Sequence, residues 1–408
     1  MAVAVLSLST FVVVTSEMLP VGVLTPMAEG LRISPGTAGF SLSITGLVTA
    51  VTAPAVPRVI GVLDRRVVLA AAMVVLAVGN ALTTMAGGFG LLVVSRVVIG
   101  VGMGVVWGLA SAVAPRLVTP RNATLAVSLA IGGVSAASVM GVPLGTLVGN
   151  TFGWRVAFAS LSAAAVLLAA GLLMALPRLP RPAAPAGNGP TGREPLLRNA
   201  PVAAGLVLIV FLVTAHFAAY TYVRPILEER TGSTPGTIAL FLLVYGVFGL
   251  IGNFASGALA ARRARATMLG LTVGIGVSIV LLALFGTIAG ATGVSIALWG
   301  LTYGGLSVAG QIWMTQSAPH RAEHVTGLYV GVFTAAIALG SFLGGIVVET
   351  ASITPLLWSA AGLAVVALAV GLFGPGPASR PGRTRDDSTS TPEPLETATV
   401  TGTGGTQA

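Results

Sequence analysis

Ten runs of this chain contain no Asp, Glu, Lys or Arg at all: 33–57, 67–95, 97–115, 122–154, 156–177, 199–223, 231–261, 266–320, 324–348 and 350–379. A helix that crosses a bilayer needs roughly 20 predominantly apolar residues, and each run is about that long or longer. Only 8% of the 408 residues are charged and 55% are hydrophobic, whereas soluble domains carry about 25% charged residues. The chain therefore reads as an all-α polytopic membrane protein.

Two of the runs need dividing. The run 266–320 exceeds one crossing, and GTIAGATG at 286–293 supplies glycine turn chemistry in its middle. The stretch 67–115, broken only by Arg96, divides at AGGFG, 86–90. Twelve spans are expected, near 3–27, 36–58, 67–86, 90–113, 124–149, 155–176, 201–223, 235–260, 266–286, 292–316, 323–348 and 352–374. Residues 177–199 are rich in Pro, Gly and Arg and cannot span. They divide the chain into a six-helix half at 1–176, a cytoplasmic linker at 177–199 and a second half at 200–375, followed by a polar, disordered tail at 376–408.

Cytoplasmic loops concentrate positive charge. Under this segmentation one side holds Arg58, Arg65, Arg66, Arg116, Arg121, Arg178, Arg181, Arg193, Arg198, Arg262, Arg263, Arg265, Arg321, Arg380, Arg383 and Arg385. The other side holds Arg32, Arg155, Arg224 and Arg230. Both termini are expected inside the cell, in the plasma membrane. The net charge of +9 then reports topology and contact with anionic lipid, not nucleic-acid binding. The basic residues are all arginine, which points to a GC-rich, bacterial genome. The absence of cysteine excludes disulfides, thiolate metal sites and cysteine nucleophiles. The first apolar segment lacks a basic leader and is too long for a cleaved signal, so it is expected to be a retained span.

Within the spans the ionisable residues are Glu17, Arg96 and His216. A lone ionised carboxylate near mid-bilayer costs roughly 2.5–3.5 kcal/mol, and such residues usually belong to ion or proton pathways. Burial disfavours the carboxylate charge and a nearby cation favours it, so a site alternating between the two can carry protons. Arg96 lies at a depth comparable to Glu17 and is its candidate cation. The competing reading makes Arg96 a structural arginine satisfied by backbone carbonyls. A shift of 199 sets Glu17 on His216, Pro26 on Pro225 and Glu29 on Glu228; one residue of slippage sets SPGTA, 34–38, on TPGTI, 234–238. LDRR at 63–66 then falls on AARR at 260–263. A parallel duplication of this kind is a common transporter plan, with the substrate site between the halves. His216 either shares in proton transfer or is a neutral histidine hydrogen-bonded to Tyr220.

Arg96, Gly100, Met103 and Trp107 share a helical stripe, which suits a cavity wall; simple packing is the alternative, above all for Met103. Tyr220, Tyr222, Trp299, Tyr303, Gln311 and Trp313 are candidate substrate contacts, unless those near span ends are interfacial anchors. No metal cluster, nucleophile-plus-base pair or phosphate loop is visible, so no enzyme activity, metal or cofactor is expected.

Several motifs carry a family resemblance over about residues 5–375. LVVSRVVIGVG (92–102) resembles the fourth-span motif of the major facilitator superfamily, with Ile99 in place of its glutamine. GVPLGT (141–146), with Gly141, Pro143 and Gly145, resembles the glycine-proline motif of its drug:proton antiporter group. TSEMLPVGVLTPMAEGL (15–31), GWRVAF (153–158) and AAYTYVRPIL (218–227) are similar to the sugar-efflux, arabinose-efflux and chloramphenicol-resistance branch. The loop signature is degenerate: Asp64, Arg65 and Arg66 remain, but Gly61 is only three residues before Asp64 and Val68 replaces a glycine. Its second copy keeps Gly257, Arg262 and Arg263 and has Ala261 where the aspartate belongs.

The resemblance implies two pseudo-symmetric six-helix halves working by alternating access, exporting a small organic compound (a drug, sugar or secondary metabolite) in exchange for protons. It implies a kinked, tightly packed fifth span that keeps the closed side from leaking. The partners expected are a small-molecule substrate, protons and the lipid bilayer, with the protein a monomer. A facilitated uniporter or importer is the alternative within transport, and a non-transporting membrane sensor or scaffold is the alternative outside it.

Overall fold

The computed structural model describes residues 1–60, 63–119, 129–130, 132–134, 136–179 and 196–377. Gly61, Arg121, Arg181, Arg193, Arg380, Arg383 and Arg385, the opening of the expected fifth span, residues 180–195 of the linker and 378–408 of the tail lie outside the described residues.

Among the described residues there is no strand. Hydrocarbon offers backbone groups no water, so every segment satisfies its own N–H and C=O as a helix. The helices are α1 (Ala2–Gly22), α2 (Leu24–Leu31), α3 (Pro35–Ile60), α4 (Arg65–Met85), α5 (Phe89–Val113), α6 (Val142–Phe152), α7 (Trp154–Ala175), α8 (Ala200–Tyr220), α9 (Val223–Thr231), α10 (Pro235–Phe285), α11 (Ala289–Gly304), α12 (Leu306–Ser317), α13 (Ala322–Thr350) and α14 (Ile353–Phe373). A π-helical turn, Ala137–Gly141, leads into α6. Large apolar side chains such as Met174, Phe254 and Val59 stand exposed along the helix flanks, the surface a bilayer covers.

Ten described helices are long and apolar enough to cross a membrane. The difference from twelve has two physical causes. Helix α10 runs 51 residues, about 77 Å at 1.5 Å per residue, more than twice a hydrocarbon core. It bends at Arg263 (φ −142°, ψ 65°), where the expected spans 235–260 and 266–286 meet. In the first copy of this loop Asp64 caps α4 through the Arg66 amide at 3.0 Å and starts a fresh helix. Ala261 at the matching place has no side chain to cap with, and the helix runs on. The expected span 292–316 is broken at Gly305 into α11 and α12, each too short to count alone. There a Cβ would run into the Ser256 side chain and the Gly252 carbonyl of α10.

The expected spans 3–27 and 201–223 are also broken, and in the same way. Val23 (φ −118°, ψ 20°) parts α1 from α2, and Tyr222 (φ −105°, ψ 18°) parts α8 from α9. Left-handed residues follow, Arg32 at φ 55° and Gly232 at φ 63°, and each next helix begins on a proline, Pro35 or Pro235. One sequence of backbone events thus recurs 199–200 residues on.

Helix α6 and its π turn pack on α1 through glycines. A Cβ on Gly141 would strike Thr15 and Phe11, one on Gly145 Leu19, and one on Gly149 Val23. Gly141→Val is expected to overpack this seam by about 1–3 kcal/mol and to lower the Tm in detergent, while Gly132→Ala, with open space around it, leaves the Tm unchanged. Equal melting of the two variants would deny the seam its role.

The degenerate loop is well anchored despite its spacing. Asp64 accepts the Leu179 amide at 2.9 Å, Arg65 donates its amide to the Leu179 carbonyl at 3.1 Å, and Arg66 Nη1 reaches the Leu176 carbonyl at 3.2 Å. The Leu179 amide foremost, with the Arg66 amide and the charges of Arg66 and Arg178 behind it, holds the Asp64 carboxyl below its ordinary range, against burial, which raises it and ranks second in size. A lowered native pKa stabilises this tie above the ordinary aspartate value near 4, and the stabilisation is lost as pH falls through the lowered value. The protection of the Leu179 amide from hydrogen exchange, relative to its intrinsic rate, is therefore expected to be full at neutral pH and to be lost only in strong acid. In Asp64→Ala the exchange is expected to run about fivefold faster at neutral pH, the value of a lost cap near 1 kcal/mol. Arg262 and Arg263 stand exposed, and Gly257 packs at ordinary distance from Val308.

Candidate functional site

Pro20 sits inside α1, three residues after Glu17. Proline has no N–H to give the carbonyl four residues back, so the Ser16 carbonyl loses its helical partner. Arg96, reaching from α5, places Nη1 3.5 Å from that oxygen. Asn80 of α4 donates to the Ser16 hydroxyl at 3.0 Å and to the Leu76 carbonyl at 3.1 Å. The Arg96 guanidinium lies 5.1 Å from the centre of the Phe158 ring, within range of a cation–π contact. Its Nε and Nη2, and the Oδ1 of Asn80, have no hydrogen-bond partner among the described residues.

Glu17 itself is 6% exposed. It forms no ion pair with Arg96: among the described residues the ion pair present is Arg224–Glu228. Arg96 meets the carbonyl next to Glu17 instead of its carboxylate, because Pro20 has made that carbonyl available. The expected helical stripe also divides. Gly100 faces Thr45 and Val48 of α3, and its carbonyl accepts from Thr49 at 3.2 Å, so this part of the stripe is packing. Met103 is buried and Trp107 half-buried.

His216 lies in a box of rings. The imidazole stacks on Tyr303 at 3.6 Å between centroids and 6° between planes, and on Tyr220 at 5.0 Å and 20°. Trp299 donates its indole N–H to His216 Nδ1 at 2.9 Å, and the Tyr245 hydroxyl lies 3.5 Å from Nε2. The hydrogen-bond partner is thus Trp299, and Tyr220 only stacks. Glycines in α11 make the box possible, since Gly300 and Gly304 admit the backbone of Tyr245 and Gly249 from α10. Tyr303 is half-buried, and the box is built from the segment 196–377 while Glu17 lies in 1–179.

Other expected contacts serve the scaffold. Tyr222 is fully buried and donates to the Gly36 and Ser341 carbonyls at 3.3 and 3.0 Å. Trp313 donates to the Pro201 carbonyl at 2.9 Å. Gln311 is exposed.

A second polar assembly joins the segments 1–179 and 196–377. Pro26 withdraws the helical partner of the Gly22 carbonyl, as Pro20 does for Ser16. Arg224 Nη1 takes that oxygen at 2.6 Å and Asn150 Oδ1 at 2.8 Å, while its Nε pairs with Glu228 at 2.8 Å. Thr25 hydrogen-bonds Glu228. Asn150 donates to the Pro235 carbonyl at 3.1 Å. Glu349, at the end of α13, accepts the Thr37 amide at 3.0 Å and the Ser34 hydroxyl, capping α3 from outside. These hydrogen bonds join 1–179 to 196–377 at the arginine-poor end. A search for ionisable groups inside apolar runs does not find Asn80, Tyr245, Arg224 or Glu349. Asn80 was findable, as the one amide side chain in the run 67–95.

Known proteins share both sequence and fold with this chain. The purine ribonucleoside efflux pump NepI of Escherichia coli (strain K12) is 33% identical over 357 residues, covering 87% of this chain and 89% of the pump. NepI of Shigella sonnei matches to the same extent. The crystal structure of the nucleoside transporter NupG superposes with a TM-score of 0.73 at 14% identity, over 91% of this chain and 98% of that one. An inward-facing, unoccupied bacterial homologue of the lysosomal transporter Spinster gives 0.65 at 16%, over 91% and 94%. The relatives are transporters and not enzymes, and this chain is a multi-pass membrane transporter. The sequence profile of the Major Facilitator Superfamily matches residues 6–340 and 206–401 in overlapping stretches, and the chain belongs to that superfamily.

Proposed function

We propose that the protein exports purine nucleosides in exchange for protons, by alternating access between two six-helix halves at 1–176 and 200–375. One combination of features carries this: Glu17 is a buried acid with no ion pair among the described residues, in the first half, and an aromatic box stacked on His216 is in the second. A purine is flat, and base–aromatic stacking contributes about 1–3 kcal/mol per base. Ribose hydroxyls need polar partners, and the unpaired edges of Arg96 and Asn80 are available on the first half. The 33% identity to an efflux pump for purine ribonucleosides supports this over a general drug or sugar.

Glu17 carries the proton, and Arg96 is the cation that receives its carboxylate in the alternate state. The arginine bias supports cytoplasmic termini and an outer position for the Arg224 assembly, and on this reading the conformation is inward-facing and the membrane is the plasma membrane. Counting α10 as two crossings and α11 with α12 as one gives twelve. One chain holds the whole site, so the monomer suffices.

Inside-out vesicles with an acid interior test the proposal. Radiolabelled inosine or adenosine is expected to accumulate, added nucleoside to release protons, and a protonophore to abolish both. Nucleoside equilibration without proton movement would favour a uniporter. Binding without flux would favour a sensor.

A further inference from the structure

His216 holds the place in the second half that Glu17 holds in the first, yet its surroundings give it different chemistry. An indole nitrogen only donates, and an imidazolium carries a proton on both ring nitrogens. The 2.9 Å bond from Trp299 Nε1 to His216 Nδ1 therefore exists only while Nδ1 is bare. Nε2 then holds the one ring proton, facing the Tyr245 hydroxyl.

The titratable groups around the ring are few. Helix α8 brings Tyr220, α10 Tyr245 and α11 Tyr303. Helices α12 and α14 carry no titratable side chain. Among the described residues Glu17 makes no hydrogen bond or ion pair to the imidazole. A second proton on His216 would set one N–H against another and add a charge with no anion in contact. What the ring does touch is Tyr303, in near-parallel stacking.

We propose that Trp299 locks His216 as the neutral tautomer protonated on Nε2, and that His216 is a positioning residue holding Tyr303 at the cavity wall, not a proton carrier. The second clause rests on Tyr303 being a substrate contact; the lock does not.

Nitrogen NMR of ring-labelled histidine reads the lock directly. In the full chain carrying His320→Gln and His324→Gln, both at exposed positions, the remaining signals belong to His216. They are expected to show the Nε2–H tautomer unchanged between about pH 5 and 8, the range over which free histidine titrates. Trp299→Phe is expected to release it, giving mixed tautomers or titration. A protonated Nδ1, or titration with Trp299 intact, overturns the lock even if no nucleoside is transported.

Transport reads the positioning role. Asparagine at 216 keeps an acceptor for Trp299. His216→Asn is expected to keep substrate-evoked proton release and its pH profile while raising KM about fivefold, the worth of the lost ring stacking on Tyr303. His216→Phe, which leaves the indole N–H unpaired, is expected to raise KM further. Loss of proton release from His216→Asn while nucleoside still moves overturns the assignment.

Discussion

Glu17→Gln is expected to abolish nucleoside-evoked proton release, by at least about 100-fold, while nucleoside binding stays within about threefold. The amide keeps the size and hydrogen-bonding reach of the acid but has no proton to release at any accessible pH. A lone carboxylate in this setting costs roughly 2.5–3.5 kcal/mol, and among the described residues no ion pair offsets it. A second, remote carrier is therefore not expected to substitute. Dye-reported acidification and isothermal binding, measured on the same preparation, separate the two effects. Proton-coupled export surviving in Glu17→Gln would sink the proposal. Arg96→Gln distinguishes the cation's role: retained binding with slowed coupling fits a partner for the released carboxylate. Unfolding alone fits an arginine that only serves the Ser16 carbonyl.

Arg224→Ala is expected to open the sealed end. The side chain is almost wholly buried and bridges three helices, so its loss strands Glu228, Asn150 and the Gly22 carbonyl together. With Glu228 27% exposed, the cost falls at the low end of the buried-pair range, about 3 kcal/mol, equivalent to roughly 150-fold in the population of the closed form. Leu242 is buried beside Gly22 at this seal. The chain has no cysteine, so Leu242→Cys gives a clean labelling site. Impermeant maleimide added from outside is expected to react at least about tenfold faster when Arg224→Ala is present. Unchanged labelling would mean that the seal is held elsewhere. Arg224→Lys is expected to fall between the two, because an ammonium lacks the fork that reaches several acceptors at once.

Much of this was readable in the residues, and the gaps have physical reasons. Charge-free runs mark helices because insertion penalises charge, so the spans were legible. Their interruptions were not. The run-through at Arg263 follows from a missing cap at Ala261, and the break at Gly305 from how closely α10 approaches. Glu17 was legible as a lone acid in an apolar run. The aromatic box was not, since Tyr245 and Trp299 lie 29 and 83 residues from His216 and only packing brings them together. Nor does spacing show that Arg96 meets a carbonyl and not a carboxylate; that depends on which backbone oxygen a proline leaves bare.

The two prolines of the first crossing have an evolutionary consequence. Ser16 and Gly22 need arginines only because Pro20 and Pro26 supply no amide. A lineage that exchanged Pro26 for alanine would restore the helical bond and relax the demand on Arg224. The two positions should therefore be epistatic: Pro26→Ala with Arg224→Ala should harm the seal less than the sum of the separate changes. Among descendants of one ancestor, proline and arginine should tend to be kept together or lost together, although they stand on different helices.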